Sequence, residues 1–243
     1  MTNPVLKQID ETSGERVLQQ NEIMTVNGTL QITLLMGLIL LVAAAYVWSR
    51  ASLGYTDQVA MLSGIGAIGG FIIALIISFT RTKYLVPVYA GLEGLFLGGI
   101  SSIFEASYPG IVVQAVAGTF AAFFSMLILY RANIIRCTDK FRSVIFISTL
   151  SIAGIYLISV IGGFFGYTIP QIHTSSNIGL LFSVVVVLIA AFNLILDFDF
   201  IEHGAQKMLP KDYEWFGAFG LMVTLVWLYL EILKLLAKLS DRR

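Results

Sequence analysis

Four acidic side chains interrupt stretches of sequence that are otherwise almost free of charge: Glu93, Asp197, Asp199 and Glu231. Ionisable groups are costly to place inside a membrane, and they commonly mark proton relays and ion pathways. No lysine or arginine lies deep in the same stretches to neutralise them. A carboxyl group without a cation either keeps its proton or borders a water-filled cavity where cations collect. The four acids therefore predict chemistry with protons or metal cations.

Glu93 is the acid furthest from either end of its apolar stretch. It lies nine residues after Tyr84, where that stretch begins. At about 1.5 Å per residue its carboxyl group is about 13 Å deep, near the middle of a bilayer. The neighbouring Gly91, Gly94 and Gly98 leave room for water or an ion. Two interpretations follow: a group in a cation pathway, or a protonated acid that hydrogen-bonds to a neighbouring helix.

The acids of the C-terminal third differ in the direction they face. Asn193 and Asp197 are four residues apart and share one helix face, whereas Asp199 is turned by about 200° from Asp197. We therefore expect only one of the two aspartates to point into the protein, with Asp199 closer to the cytoplasmic end. Glu231 is the one acid of its apolar segment, and it can alternatively pair with Lys234, three residues later.

The segments that position these acids are long enough to cross a membrane. Of the 243 residues, 57% are hydrophobic and only 12% are charged, against roughly 25% charged in soluble domains. The apolar stretch 143–196 is too long for one crossing, and Pro170 with its neighbouring glycines and polar residues divides it. We predict an all-α fold, a polytopic bundle of seven transmembrane helices over 28–238, with tails at 1–27 and 239–243. The predicted helices lie at about 28–49, 58–80, 84–105, 111–131, 144–166, 178–202 and 214–238.

Two pairs of glycines predict where helices pack closely. Gly66 and Gly70 lie on the second helix, and Gly94 and Gly98 lie on the third. Their four-residue spacing places a small residue on one face in successive turns, which lets two helix backbones approach each other in a membrane. We expect both pairs to form tightly packed contacts.

Composition and motifs exclude several functional classes. The 15 basic and 15 acidic residues leave no basic surplus for nucleic acid. Cys137 is the only cysteine, so an intramolecular disulfide and a multi-cysteine metal site are impossible. The sequence contains no HExxH, GxSxG or Walker-type loop. We therefore expect no nucleic-acid binding, no enzymatic activity and no resident cofactor.

The polar positions of the apolar segments carry a family resemblance. They are NLILDFDFIE at 193–202, YEW at 213–215, LYLE at 228–231 and YAGLEGLFLG at 89–98. Together they resemble the transmembrane Bax inhibitor motif (Bax inhibitor-1-like) proteins, and among these the bacterial branch. The resemblance implies a seven-helix bundle with the last helix at its centre, in the inner membrane of a bacterial cell. It also implies a pH-sensitive calcium leak pathway.

In that family, acids on the sixth and seventh spans share a proton and close the pore. The matching positions are Asp197 or Asp199 on the sixth span and Glu231, where the family usually has aspartate, on the seventh. Asp197 and Glu231 would then also be the oxygen ligands of calcium. A helical hairpin that turns near Lys211 places Asp197 opposite residue 225, about 9 Å from Glu231 along the axis. The alternative function is a non-conducting regulator that binds another membrane protein, such as a quality-control protease.

The distribution of basic residues predicts the orientation. Cytoplasmic loops are enriched in lysine and arginine, so the richer side should face the cytoplasm together with the N-terminus. The poorer side has Arg50 and the basic residues of 234–243, which conflict with an external C-terminus. The alternative is a re-entrant last segment, or six spans with a buried hairpin, that returns the tail to the cytoplasm. The richer side contains Lys7, Arg16, Arg81, Lys83, Arg131, Arg136, Lys140, Arg142, Lys207 and Lys211.

This orientation can be tested with the native cysteine. Cys137 lies in the predicted cytoplasmic loop 131–143, so a membrane-impermeant thiol reagent should label it in inside-out vesicles or after permeabilisation, and leave it unlabelled in intact cells. Labelling from outside intact cells would show that the orientation is inverted.

Overall fold

The computed structural model describes residues 22–166 and 176–242, apart from the side chain of Phe164. The predicted tail residues 1–21 and the predicted loop residue Pro170 lie outside this description. The helices are α1 Val26–Ser52, α2 Thr56–Thr80, α3 Val86–Ser107, α4 Ile111–Arg131, α5 Asp139–Phe164, α6 Asn177–Gln206 and α7 Tyr213–Ser240. Seven helices in the described ranges are long and apolar enough to cross a membrane. The prediction of an all-α bundle of seven spans is confirmed.

Helix α7 lies at the centre of the bundle, as the resemblance implies. Of its most apolar 18-residue window 61% is buried, against 44% for α3 and 39% for α6. It packs against α1, α3, α4 and α6, and its side chains Leu221, Leu228 and Leu233 are almost fully enclosed. Glu214 near the start of α7 and Glu231 near its end are therefore enclosed by neighbouring helices.

Helix α7 crosses the full height of the bundle. Asp212, just before its first residue, forms an ion pair with Lys83 at 2.6 Å. At its other end Asp241 accepts a hydrogen bond from Tyr108. Lys83 and Tyr108 flank opposite ends of α3, so the last helix also runs from one side to the other. The re-entrant and six-span alternatives are wrong for this structure.

Two of the basic residues that favoured those alternatives, Lys234 and Lys238, have local partners. Lys234 pairs with Glu231 at 3.0 Å. Lys238 donates hydrogen bonds to the Ser183 hydroxyl at 2.8 Å and to the carbonyl oxygen of Gly179. Because these side chains bind neighbours within the bundle, their number is a poor guide to the side on which the C-terminus lies.

A buried carboxylate fixes the start of α7 to the start of α1. Glu214 is only 3% exposed and accepts hydrogen bonds from the Thr25 amide and hydroxyl at 2.9 and 2.8 Å. Thr25 is the N-cap of α1, where the helix dipole favours a negative charge. A side chain at Gly28 would collide with this carboxylate. The contact sets the height of α7 relative to α1.

Helix α3 lies between α1 and α2 through the predicted glycine contacts. A Cβ atom at Gly66 of α2 would lie 2.5 Å from the Leu92 carbonyl oxygen of α3. One at Gly98 of α3 would lie 2.5 Å from the Ala44 carbonyl oxygen of α1. Both glycines of α3 and Gly66 of α2 therefore make close backbone contacts, as their spacing predicts, whereas Gly70 makes room for the Glu93 side chain.

Helix α5 begins five residues before the predicted start at 144. Its N-cap is Thr138, whose side chain accepts a hydrogen bond from the Phe141 amide at 3.2 Å, and Asp139 adds a negative charge in the first turn. The prediction followed hydropathy and missed this polar first turn. The extension matters because it places Arg142 on the helix, facing α6.

The close contact between α1 and α3 can be tested with a matched pair of substitutions. Gly98→Ala should lower the thermal stability of the purified protein, because the new methyl group meets backbone atoms and overpacking costs about 1–3 kcal/mol. The control is Gly64→Ala, where no atom lies within 4 Å of the added Cβ and the alanine favours the helix. Equal melting temperatures for the two variants would contradict the close packing at Gly98.

Candidate functional site

Asp199 has a cation partner, contrary to the expectation that no lysine or arginine neutralises the acids. Its carboxylate is 5% exposed and pairs with Arg142 of α5 at 2.8 Å. His203, one turn later on α6, places Nδ1 3.1 Å from the same carboxylate. The expectation failed because Arg142 precedes the apolar stretch in sequence but belongs to the first turn of α5, next to α6.

Glu231 is the most enclosed of the four acids, at 1% exposure. Lys234 donates to one carboxylate oxygen at 3.0 Å, and the Tyr156 hydroxyl of α5 donates to the other at 2.9 Å. The Lys234 ammonium also lies 4.8 Å from the centre of the Tyr156 ring. The ion pair that sequence spacing left open is therefore present, and it borders a cavity of about 680 Å³ that Ser159 and Ser183 also line.

Asp197 faces α7 and has no cation partner within the described part of the chain. Its carboxyl group lies close to Thr224 and next to Gly220, where an added Cβ would be 3.4 Å from Oδ1. Its Oδ2 is buried and has no hydrogen-bond partner. Thr224 is one residue from the position that the hairpin geometry predicts opposite Asp197.

Both aspartates of α6 point into the bundle, although we expected only one to do so: Asp199 is buried, and Asp197 is half-buried with its Oδ2 fully enclosed. The rotation of about 200° between them is present, since Asp197 faces α7 and Asp199 faces Arg142 of α5. Helix α6 packs against α4, α5 and α7, so two nearly opposite faces of it are interior. The spacing predicted the directions correctly, and the number of neighbours made both directions buried.

Glu93 of α3 faces α2, and the aromatic ring of the neighbouring Tyr89 contacts α7. An added Cβ at Gly70 of α2 would be 3.2 Å from its Oε1, and Tyr89 lies close to its carboxyl group. The Tyr89 ring packs edge-on against Phe219 of α7, with centroids 5.0 Å apart. Glu93 Oε2 is buried without a hydrogen-bond partner. The interpretation of Glu93 as an interior acid agrees with this position.

The four acids therefore form two classes. Asp199 and Glu231 are paired with cations, whereas Glu93 and Asp197 each keep one buried oxygen without a partner. Buried polar atoms are nearly always hydrogen-bonded, so an unpartnered oxygen indicates a proton, a water molecule or an ion. These two oxygens and the Ser159 hydroxyl are the unpartnered buried side-chain oxygens or nitrogens over the described ranges.

Asp197 and Glu231 bind different partners. Thr224, which contacts Asp197, precedes Glu231 by seven residues on α7, a separation of about 10 Å along the helix. Among the residues that the structure describes, no group of three or more His, Cys, Asp or Glu side chains could hold a metal ion. A shared proton or calcium ion between these two acids would need water between them or a movement of α6 against α7.

Helix α5 supplies three site residues that the sequence analysis missed. Arg142, Thr149 and Tyr156 follow one another at seven-residue intervals, so they lie on one face of the helix. Thr149 accepts a hydrogen bond from Asn193 at 2.8 Å, between the levels of Arg142 and Tyr156. Asn193 therefore turns toward α5 and not toward the Thr224 side of Asp197. The seven-residue spacing of polar residues in an apolar helix was the available signal.

The loop before α5 brings the single cysteine close to this face. Burial raises the pKa of the Cys137 thiol, and the nearby negative charge of Asp199 raises it further, whereas Arg142 opposes the shift. The thiolate is the reactive form, so Cys137 reacts slowly near neutral pH and is labelled faster as the pH rises.

The chain also has a family assignment. No curated protein matches it closely enough to count as a relative. The family described as Bax inhibitor 1 like matches residues 3–241, which includes all seven helices, the four acids and the three polar residues of α5. This chain belongs to the Bax inhibitor 1-like family of multi-pass membrane proteins.

Proposed function

We propose that the protein is a pH-sensitive leak pathway or exchanger for calcium, and not an enzyme. The observation that carries the proposal is the pair of interior carboxyl groups, Glu93 and Asp197, that have a buried oxygen and no cation partner. Carboxylate oxygens are the ligands that calcium prefers, and the ion accepts the remaining ligands from backbone carbonyls and water. We further propose a bacterial inner membrane with the N-terminus in the cytoplasm.

The proposed pH sensor is the pair of acids formed by Asp197 of α6 and Glu231 of α7. Asp197 faces Thr224, whereas Glu231 faces Tyr156 and Lys234, with Lys238 on the same cavity. Two negative charges on neighbouring helices repel each other, so Asp197 and Glu231 should not both ionise while α6 and α7 are packed together. One retained proton should hold α6 and α7 together, and its loss should separate them.

A purified-protein flux assay tests the proposal. In liposomes without any partner protein, calcium influx should rise as pH rises through the apparent pKa of the coupled acids. Asp197→Asn and Glu231→Gln should each flatten this pH response, because one missing charge removes both the shared proton and the repulsion. The double variant should add little to either single variant.

The control for these variants is Asp57→Asn, which removes an exposed acid at the start of α2. It should keep the wild-type pH profile. If Asp197→Asn and Glu231→Gln also keep that profile, the coupled-acid mechanism is wrong. If the folded wild-type protein moves no calcium at any pH, the non-conducting regulator becomes the better proposal, and a search for a membrane-protein partner follows.

Glu93 gives a separate prediction. Glu93→Gln preserves the size of the side chain but removes its ability to carry a negative charge, so calcium flux should fall severalfold if Glu93 borders the pathway. Flux and melting temperature are to be measured on the same preparation. Unchanged flux in a normally folded variant would assign Glu93 to helix packing alone.

A further inference from the structure

Helix α5 is attached to the bundle in a different way from the other helices. Of its described side chains, only Ile145 and Ile152 are buried. These two residues alternate along the helix with Arg142, Thr149 and Tyr156, which form the polar contacts with α6 and α7. The inner face of α5 is therefore a ladder of three polar contacts separated by two isoleucines.

This polar ladder is weak for its length. Hydrophobic association does not hold helices together in lipid, and hydrogen bonds between membrane helices contribute little each. The contacts that bring α3 against α1 and α2 use close backbone approach at glycines, whereas no atom lies within 4 Å of a Cβ added at Gly163, which continues the inner face of α5. Helix α5 can thus move outward without breaking a close-packed backbone contact.

Cavities lie at both ends of the ladder. One, of about 680 Å³, is bordered by Arg142, Ser143 and Asp199. The other, also about 680 Å³, is bordered by Tyr156, Ser159 and Glu231. Arg142 and Tyr156 are fourteen residues apart, or about 21 Å along the helix, which is most of the hydrocarbon thickness. The contact between Thr149 and Asn193 closes the space between the cavities.

The Ser159 hydroxyl, a buried polar group without a hydrogen-bond partner, lies on the same face of α5. Ser159 continues the alternating pattern of the inner face, seven residues after Ile152, and its buried hydroxyl has no hydrogen-bond partner. It borders the cavity that contains Glu231. A hydroxyl in that position is suited to water or to a cation that leaves the carboxylate.

We propose that the permeation route runs along the inner face of α5, with Arg142, Thr149, Tyr156 and Ser159 as lining residues, and that α5 is its movable wall. Outward movement of α5 separates Thr149 from Asn193 and joins the two cavities. Asp199 and Glu231 then become the acids at the two ends of the route. The identity of the cargo as calcium rests on the proposed function; the position of the route does not.

The test is the accessibility of single cysteines to water. Three single-cysteine variants are made in the full-length protein with Cys137→Ser. Thr149→Cys lies on the inner face of α5. The controls, Ile147→Cys and Leu150→Cys, lie on the outer face, where both native side chains are 62% exposed toward lipid. Native membranes are treated with a small cationic methanethiosulfonate reagent. Because the thiolate forms only in contact with water, Thr149→Cys should react about tenfold faster than either control.

Two further variants define the movement. Tyr156→Phe removes the hydroxyl that donates to Glu231 while keeping the ring, and it should speed the labelling of Thr149→Cys severalfold. A disulfide between Thr149→Cys and Asn193→Cys should block flux, and reduction should restore it. These outcomes support α5 as the wall.

The result that overturns the proposal is Thr149→Cys labelling as slow as the outer-face controls, with and without Tyr156→Phe. Calcium flux in that same protein would then leave the proposed function intact and reject only the route. Fast labelling of Thr149→Cys in a protein that moves no calcium would support the route along α5 and reject calcium as the cargo.

Discussion

The interior of a bilayer supplies no water, so each polar group of a spanning helix must find its partner inside the protein. This constraint organises the bundle around α7. The ends of α7 are fixed by polar contacts, Glu214 with Thr25 and Asp212 with Lys83 at one side and Asp241 with Tyr108 at the other. Its middle is fixed by apolar packing on several sides. The acids on α6 and α7 acquire their environments from that arrangement.

The bundle uses two kinds of helix contact, and they divide it into a firmly packed part and a loosely attached part. Helices α1, α2 and α3 meet at glycines, where backbone atoms approach closely and little can move without a clash. Helix α5 meets α6 and α7 through side-chain hydrogen bonds and one ion pair, together with two buried isoleucines and aromatic contacts to α6. Its polar contacts can be replaced by water at modest cost, so movement is expected at α5 first.

The interior acids are distributed across this boundary. Glu93 lies on the firmly packed side, between α2 and α3, whereas Asp199 and Glu231 each bind a residue of α5. Asp197 lies between them, against Thr224 of α7. Movement of α5 would therefore uncover the two cation-paired acids and leave the unpaired ones enclosed. Glu231 thus belongs both to one end of the proposed route and, together with Asp197, to the proposed pH sensor.

The sequence by itself determined the seven helices, the glycine contacts and the residue opposite Asp197, because hydropathy, four-residue spacing and helix rise are properties of the chain alone. It also determined that Asp197 and Asp199 face different ways. Only the tertiary structure decided that Asp199 pairs with Arg142, that Glu231 accepts a hydrogen bond from Tyr156, and that both aspartates point into the bundle. Periodicity fixes the direction in which a side chain leaves its helix, but the partner it meets depends on which helix lies in that direction. The residues of α5 are far along the chain from the acids of α6 and α7 that they contact, so the sequence alone does not pair them.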